Sequence, residues 1–230
     1  MSRGLEKIPF YNQLVCFMPF YEGVGTDLHD ISREHLLGDA SVAPPAWLQL
    51  ASGKWVLDFD PAVPEYATIA AAYTVLDFTS EDFSLSLWVN VDLFGAVRHL
   101  FCRGLELTDG YKFAIQANGR VDFYTAQGGS SQTSYSIDGA VGTGTWYCLG
   151  VSRDGPSARI YRNGRDIISG AAAHINPITS GRSAKIGVYD NLATGPMDGK
   201  MALFKAWRNR ALDQAAHQAL FDYERKFFGV

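Results

Sequence analysis

Two Asn-Gly pairs constrain this chain more than any other feature. Asn118-Gly119 lies within YKFAIQANGRVDFYTA, and Asn163-Gly164 within ARIYRNGRDII. Apolar residues alternate along both flanks of each pair. A period of two sends successive side chains to opposite faces of a strand. A two-residue type I′ turn needs positive φ at both central positions, which Asn and Gly tolerate. Both stretches therefore predict antiparallel hairpins closed by type I′ turns.

Other segments repeat the pattern. FSLSLWVNV (83–91) places Phe83, Leu85, Leu87, Val89 and Val91 on one face. TWYCLGVS (145–152), SAKIGVY (183–189) and KWVLDF (54–59) read as further strands, and the first strand begins near Leu14. Short strands separated by Gly, Ser, Pro and Asp clusters predict a sandwich or barrel. Residues 21–46 are poor in strand signals and are expected to form a loop across one end of the sandwich. No Pro-, Gly- or Ser-rich linker divides the chain. The expected organisation is an N-terminal arm over 1–12 and one domain over 13–230.

The end of the chain changes period. From Leu212, apolar or small residues fall at Leu212, Ala215, Ala216, Ala219, Leu220, Tyr223 and Phe227, a helical stripe. Asp213 near the start complements the positive end of a helix dipole. A helix over 212–228 is expected to pack on the sandwich.

Composition narrows the function classes. The net charge is −4, and no Lys/Arg-rich run marks a nucleic-acid surface. No apolar stretch approaches the roughly 18 residues that span a bilayer. The first twenty residues show neither an apolar signal core nor a small-residue cleavage site, so synthesis and retention in a cytoplasm are expected. Cys16, Cys102 and Cys148 sit in apolar runs without a CxxC motif and are expected to be reduced core thiols. No Asn-x-Ser/Thr acceptor occurs.

Several segments then match a known pattern in order. LVCFMPFYEGVGTDLHDIS carries Glu22, Gly23, Gly25, Asp30 and Ser32 in an E-G-x-G-x-x-x-x-D-x-S arrangement. WVLDFDPAVPEYATI, DFSLSLWVNV, TWYCLGVSRDGPSARIYRNGR and DGKMALFKAWRNRALDQAAHQALFDYE follow. Over about 200 residues this order resembles the laminin-G-like, concanavalin A-like jelly rolls. The resemblance implies an all-β, two-sheet antiparallel jelly-roll sandwich with a short C-terminal helix. The fold hosts lectins, adhesion modules, glucanases and viral structural proteins, so it leaves function open.

The resemblance also implies where sites would lie. Many relatives bind calcium through an acid in the D-Y-V segment and another in the closing strand. Those positions correspond here to Glu65 and Ala202, and alanine offers no ligand. Asp190 and Asp198 lie in a nearby loop as substitute calcium candidates. The expectation is nevertheless no metal and no cofactor. Glucanases of this fold carry an E-x-D-x-x-E cluster, with alternate carboxylates as nucleophile and acid. No such cluster occurs; Asp58 and Asp60 share a face but match a non-catalytic segment. No GxSxG, HExxH or GxxxxGK[ST] motif occurs, and the five histidines show no ligand spacing. No catalytic residue is therefore expected. For sugar binding, Trp47 offers an aromatic platform and Tyr189, Asp190 and Asn191 a polar rim.

The reading that follows is a non-catalytic structural or interaction module rather than an enzyme. It resembles free-standing modules that decorate the capsid or tail of a bacteriophage virion, assembled in the host cytoplasm. Its expected partners are other virion subunits or copies of itself, with surface glycans possible and neither nucleic acid nor membrane. Ile8, Phe10 and Tyr11 of the arm are expected to pack on the C-terminal helix or on a neighbouring subunit. The alternatives are a carbohydrate-binding, lectin-like module and a glycan hydrolase with a degenerate site.

Overall fold

The computed structural model describes residues 8–230. Part of the expected arm, residues 1–7, lies outside the described residues. The first half holds β1 (Leu14–Met18), β2 (Asp27–His29), β3 (Leu37–Asp39), β4 (Ala46–Gln49), β5 (Trp55–Phe59), β6 (Ala67–Ile69), β7 (Phe83–Val91) and β8 (Arg98–Arg103). Then come β9 (Tyr111–Ile115), β10 (Val121–Gln127), β11 (Ser130–Ser136), β12 (Trp146–Asp154), β13 (Ser157–Arg162) and β14 (Arg165–Asp166). β15 (Ile168–Gly170), β16 (Ala184–Ile186), β17 (Gly199–Arg208) and the helix α1 (Gln214–Glu224) complete the chain.

The strands form two antiparallel sheets. The first runs β14-β13-β12-β7-β17-β5-β4, with β1 also paired to β17; the second runs β15-β11-β10-β9-β8-β16-β6-β3-β2. Alternation on β7 puts Phe83, Leu85, Leu87, Val89 and Val91 into the core between the sheets, against Phe101, Phe113 and Phe123. Phe83 stacks on Phe78 with ring centroids 4.4 Å apart, and Phe101 on Phe204 at 4.5 Å.

β17 explains how the strand-to-helix switch is made. Its first half pairs with β5 and its second with β1, while both halves pair with β7. The change of partner occurs at a bulge where Leu203 has φ 53°. A bulge bends a strand and releases its ladder locally, which lets one strand serve two neighbours. After β17, Leu212 N donates to Ser84 Oγ at 2.8 Å, and Asp213 caps the helix by accepting from Ala216 N at 2.8 Å. The helix therefore begins after its cap at Asp213 rather than at Leu212.

Its buried face also differs from the expected stripe. Ala215 and Ala219 are exposed, whereas His217 and Glu224 are buried with Ala216 and Leu220. Polar groups on the sheet select this face. His217 Nε2 lies 2.9 Å from Ser152 Oγ, and Glu224 pairs with Lys205 at 2.7 Å. Gly150 makes room on β12, because a Cβ there would lie 2.4 Å from the His217 ring. Under the helix, Trp88, Ala202, Trp207, Leu212, Leu220 and Phe228 form a second apolar cluster that includes Ile8.

The Asn163-Gly164 turn has both residues at positive φ, 52° and 78°, as a type I′ turn requires. Asn118-Gly119 differs. Gln116 N donates to Arg120 O at 2.7 Å, and at this pair only Gly119 has positive φ, so the loop is longer by one residue. Bonds from Gly139 N to Asn118 O and from Val141 N to Gly119 O tie this turn to a neighbouring segment and set its shape. Residues 21–46 are not a plain loop either: β2 and β3 pair there at the edge of the second sheet. Asp30 supports that hairpin by accepting from Phe17 N, Ser32 N, Ser32 Oγ and Leu36 N. Gly23 is required by φ 70° and by the Trp55 ring, 2.7 Å from where its Cβ would be.

Candidate functional site

An acidic pocket of about 400 Å³ opens beside β5 and is lined by Asp58, Asp60, Glu65, Asp92 and Asp198. Strand ends bring these carboxylates together from distant parts of the sequence. Each already has a partner. Lys200 Nζ lies 3.5 Å from Asp58 Oδ1 and donates to Asp92 Oδ2. Arg98 pairs with Asp198 at 3.1 Å. Glu65 Oε2 accepts from Asp60 N at 2.7 Å, and Asp60 Oδ1 from Ala62 N at 2.8 Å.

Burial and mutual repulsion raise the acids at Asp58, Asp198 and Glu65 above their ordinary carboxylate values. Burial pulls Lys200 down, but the Asp92 hydrogen bond and the Asp58 charge outweigh it and leave its ammonium strengthened. Lys200 thus brings positive charge to two of the carboxylates that line the pocket. Among the described residues, no group of three or more His, Cys, Asp or Glu side chains has the geometry to hold a metal.

The calcium candidates separate. Glu65 and Asp198 share this pocket. Asp190 does not join them; it is held by Lys185 at 2.9 Å and Arg182 at 2.8 Å. Ala202 is fully buried in the cluster under α1.

The sugar candidates also separate. Trp47 is half-buried and donates Nε1–H to Gly25 O at 2.9 Å, which anchors the 21–46 segment. Tyr189 stacks on His99 at 4.8 Å, and its hydroxyl accepts from Glu106 N at 2.8 Å. Asn191 Oδ1 accepts from Ala193 N and Thr194 N, closing its own turn. Tyr189 belongs to a larger arrangement on the second sheet. Lys112 Nζ lies 4.0 Å from the Tyr124 ring centroid and 5.1 Å from that of Tyr189, and pairs with Glu106. Tyr124 donates to Asp122 Oδ2 at 2.9 Å, and Arg120 clamps the same carboxylate at 2.7 and 2.9 Å. Sequence reading missed Lys112, Glu106 and Tyr124. Alternation along YKFAI and VDFYTA assigns Lys112 and Tyr124 to one face, pairing across strands joins them, and Glu106 reaches them from the turn before β9.

Two Ser–His contacts look superficially like nucleophile and base. Ser152 Oγ lies 2.9 Å from His217 Nε2; Thr125 Oγ1 and Ser134 Oγ each lie 2.8 Å from a nitrogen of His174. All five residues are buried. Burial lowers His217 to about 3 and His174 to about 4, the latter helped by the Arg153 charge. Substrate has no route to either group, and both clusters serve to pin loops and helix to the sheets.

Ile8 is buried among this chain's own apolar residues, and Trp207 Nε1 donates to Pro9 O at 2.9 Å. Tyr11 packs half-buried against the same cluster. Phe10 is 39% exposed, with the Arg210 guanidinium 3.5 Å from its ring centroid.

The fold has known counterparts. The binding domain of Paraclostridial Mosquitocidal Protein 1 superposes with a TM-score of 0.76 at 12% identity, covering 95% of this chain and 55% of that one. The binding domain of botulinum neurotoxin serotype G gives 0.69 at 14%, covering 92% and 51%. Trypanosoma rangeli sialidase gives 0.64 at 17%, covering 90% and 32%. The chain thus spans about half the length of the two binding domains, and identities this low show the fold alone. No curated protein matches the chain by sequence. The family model described as the concanavalin A-like lectin/glucanases superfamily matches residues 65–216, and with two antiparallel sheets and one terminal helix the chain belongs to that family.

Proposed function

We propose that this chain is a non-catalytic binding module. The observation that carries this is the acidic pocket, where the groups that would serve as acid and nucleophile are occupied. Lys200 bridges Asp58 and Asp92, Arg98 pairs with Asp198, and Glu65 and Asp60 are held by backbone N–H groups. A glycosidase needs one carboxyl free to protonate the leaving oxygen and another free to attack or activate water. The likeness to toxin binding domains supports a recognition role.

The proposed place of action is the surface of a bacteriophage particle, as a decoration module on capsid or tail. That reading rests on the resemblance in sequence. Antibody labelling of purified particles by electron microscopy tests it, and absence of label from intact particles overturns it. A second reading, glycan recognition, is favoured by the Tyr124–Lys112–Tyr189 arrangement, which puts aromatic rings beside charged hydrogen-bonding groups. Incubation with a glycan panel is expected to give binding without turnover. Release of reducing ends that disappears in Asp58→Asn would show a hydrolase instead.

A further inference from the structure

A second cleft, of about 330 Å³, lies between the β13–β14 turn and α1. Its lining includes Arg162, Asn163, Arg165, Phe221, Asp222 and Arg225. The walls are fixed. Gly164 sits so close to the helix that a Cβ on it would lie 2.4 Å from Gln218 Cα. Asp166 N also donates to Gln214 Oε1 at 3.3 Å.

Three guanidinium groups thus face one cleft on a chain whose net charge is −4. Among the described residues none of the three forms an ion pair with a carboxylate. Arg162 spends one donor on Ala140 O, and Arg225 spends Nε–H on Val230 O at 2.7 Å. Each guanidinium has five N–H donors, so most remain available. Phe221 brings an aromatic ring to the wall, stacked on Trp88 behind it at 5.8 Å. Asn163 uses its Oδ1 on Cys148 N at 2.9 Å, which leaves its amide N–H groups as further donors.

We propose that this cleft binds the carboxylate of an acidic sugar. Guanidinium forks match a planar carboxylate bidentately. The Arg225 guanidinium lies over the Phe221 ring, 5.4 Å from its centroid, so ring and fork form one ordered wall, and Asn163 and Asp222 offer a donor and an acceptor for sugar hydroxyls. Guanidinium forks suit phosphate as well as carboxylate, so the hydroxyl contacts offered by Asn163 and Asp222 are what favour a sugar acid over a bare anion. The proposal rests on the glycan reading of this module and names both the sugar class and a site distinct from the Tyr124 face.

The test titrates the full chain, by calorimetry and by ligand-observed NMR, with trigalacturonate and sialyllactose against maltotriose, lactose and inorganic phosphate. At least one acidic sugar is expected to bind roughly tenfold or more tighter than the neutral sugars and than phosphate. Arg165→Ala should weaken that binding by roughly tenfold or more with an unchanged melting temperature, and Arg225→Ala should weaken it similarly with a small loss of stability from its lost bond to Val230 O. Arg165→Lys should restore it only in part, because an ammonium lacks the planar fork. Equal affinity for acidic and neutral sugars, tighter binding of phosphate, or arginine variants that leave binding intact would each overturn this site. Neutral-sugar binding that ignores the arginine variants would overturn the site yet keep the glycan reading. No binding of any sugar would overturn both.

Discussion

Lys205 and Glu224 form an ion pair at 2.7 Å with both side chains buried, and the other Glu224 oxygen accepts from Trp88 Nε1 at 2.7 Å. The pair joins β17 to the last turn of α1. Removing one partner of a buried pair strands the other charge, at a cost of about 3–5 kcal/mol. Glu224→Leu should therefore destabilise the chain by that amount in urea unfolding. The double variant Lys205→Met, Glu224→Leu should recover much of the loss, because a well-packed apolar pair replaces an ionic one at little cost. A residual deficit of about 1–3 kcal/mol is expected from the orphaned Trp88 N–H. Additive losses in the double variant would show that the two residues act independently.

The three thiols are buried and free. Burial pushes Cys102 and Cys148 up to about 12 and Cys16 well above its ordinary value. At pH 8 that leaves roughly one thiolate in ten thousand for the first two. A thiol reagent should find almost nothing in the native chain and three equivalents in denaturant. One equivalent in denaturant without reductant would instead indicate a disulfide.

The sequence made the strands legible where alternation is long, as in β7, and where a turn is self-contained, as at Asn163-Gly164. It failed where tertiary contacts decide. The Asn118 turn takes its shape from bonds to Gly139 and Val141. β2 and β3 are three residues each, too short to show a period, and Asp30 holds them rather than any apolar stripe. The helix face is hidden in the sequence because His217 and Glu224 look like solvent residues until Ser152 and Lys205 are placed beneath them. In the acidic pocket the individual acids are visible in the sequence, but Lys200 lies among packing residues in GKMALF, where nothing local marks it as their partner.

Acid should destabilise the chain before its carboxylates titrate. Burial lowers His99 to about 3, helped by the Lys112 charge, His174 to about 4 and His217 to about 3. The unfolded chain, with histidines near 6.5, then binds more protons than the folded one at mildly acid pH. This contribution is complete above about pH 6.5 and is lost as pH falls toward the folded values. Each ring contributes a slope of up to about 1.4 kcal/mol per pH unit. Urea midpoints should fall steadily from about pH 7 to about pH 5, and His217→Asn should flatten the slope by about one proton. A flat profile over that range would contradict this account.

Truncation tests the arm. Deleting residues 1–11 removes Ile8 from the cluster under α1 and leaves Trp207 Nε1 without its Pro9 acceptor. Loss of a buried isoleucine and an orphaned donor together should cost about 2–5 kcal/mol. A melting temperature that stays put, with attachment to a partner particle lost, would place the arm's role between subunits instead.

Lys200 is the final test, because it supplies positive charge where a cation would otherwise be needed. In Lys200→Ala, Asp58 and Asp92 lose their ammonium and face one another with Asp60, Glu65 and Asp198 around them. Calcium needs several oxygens with most of the charge from carboxylates; as placed, these side chains do not form such a group, so binding in the variant requires the acids released from Lys200 to close on the ion. The variant should be less stable than the parent without metal and should regain stability in calcium. At a hundredfold excess over Kd the gain is about 2.7 kcal/mol, enough to raise the melting temperature by several degrees. A chelator should reverse this in the variant and leave the parent unchanged. If the parent itself melts several degrees lower with chelator, the pocket holds a cation despite Lys200. If the variant ignores calcium, the carboxylates lie too far apart to serve as a cage, and Lys200 supports only the edge of the sandwich.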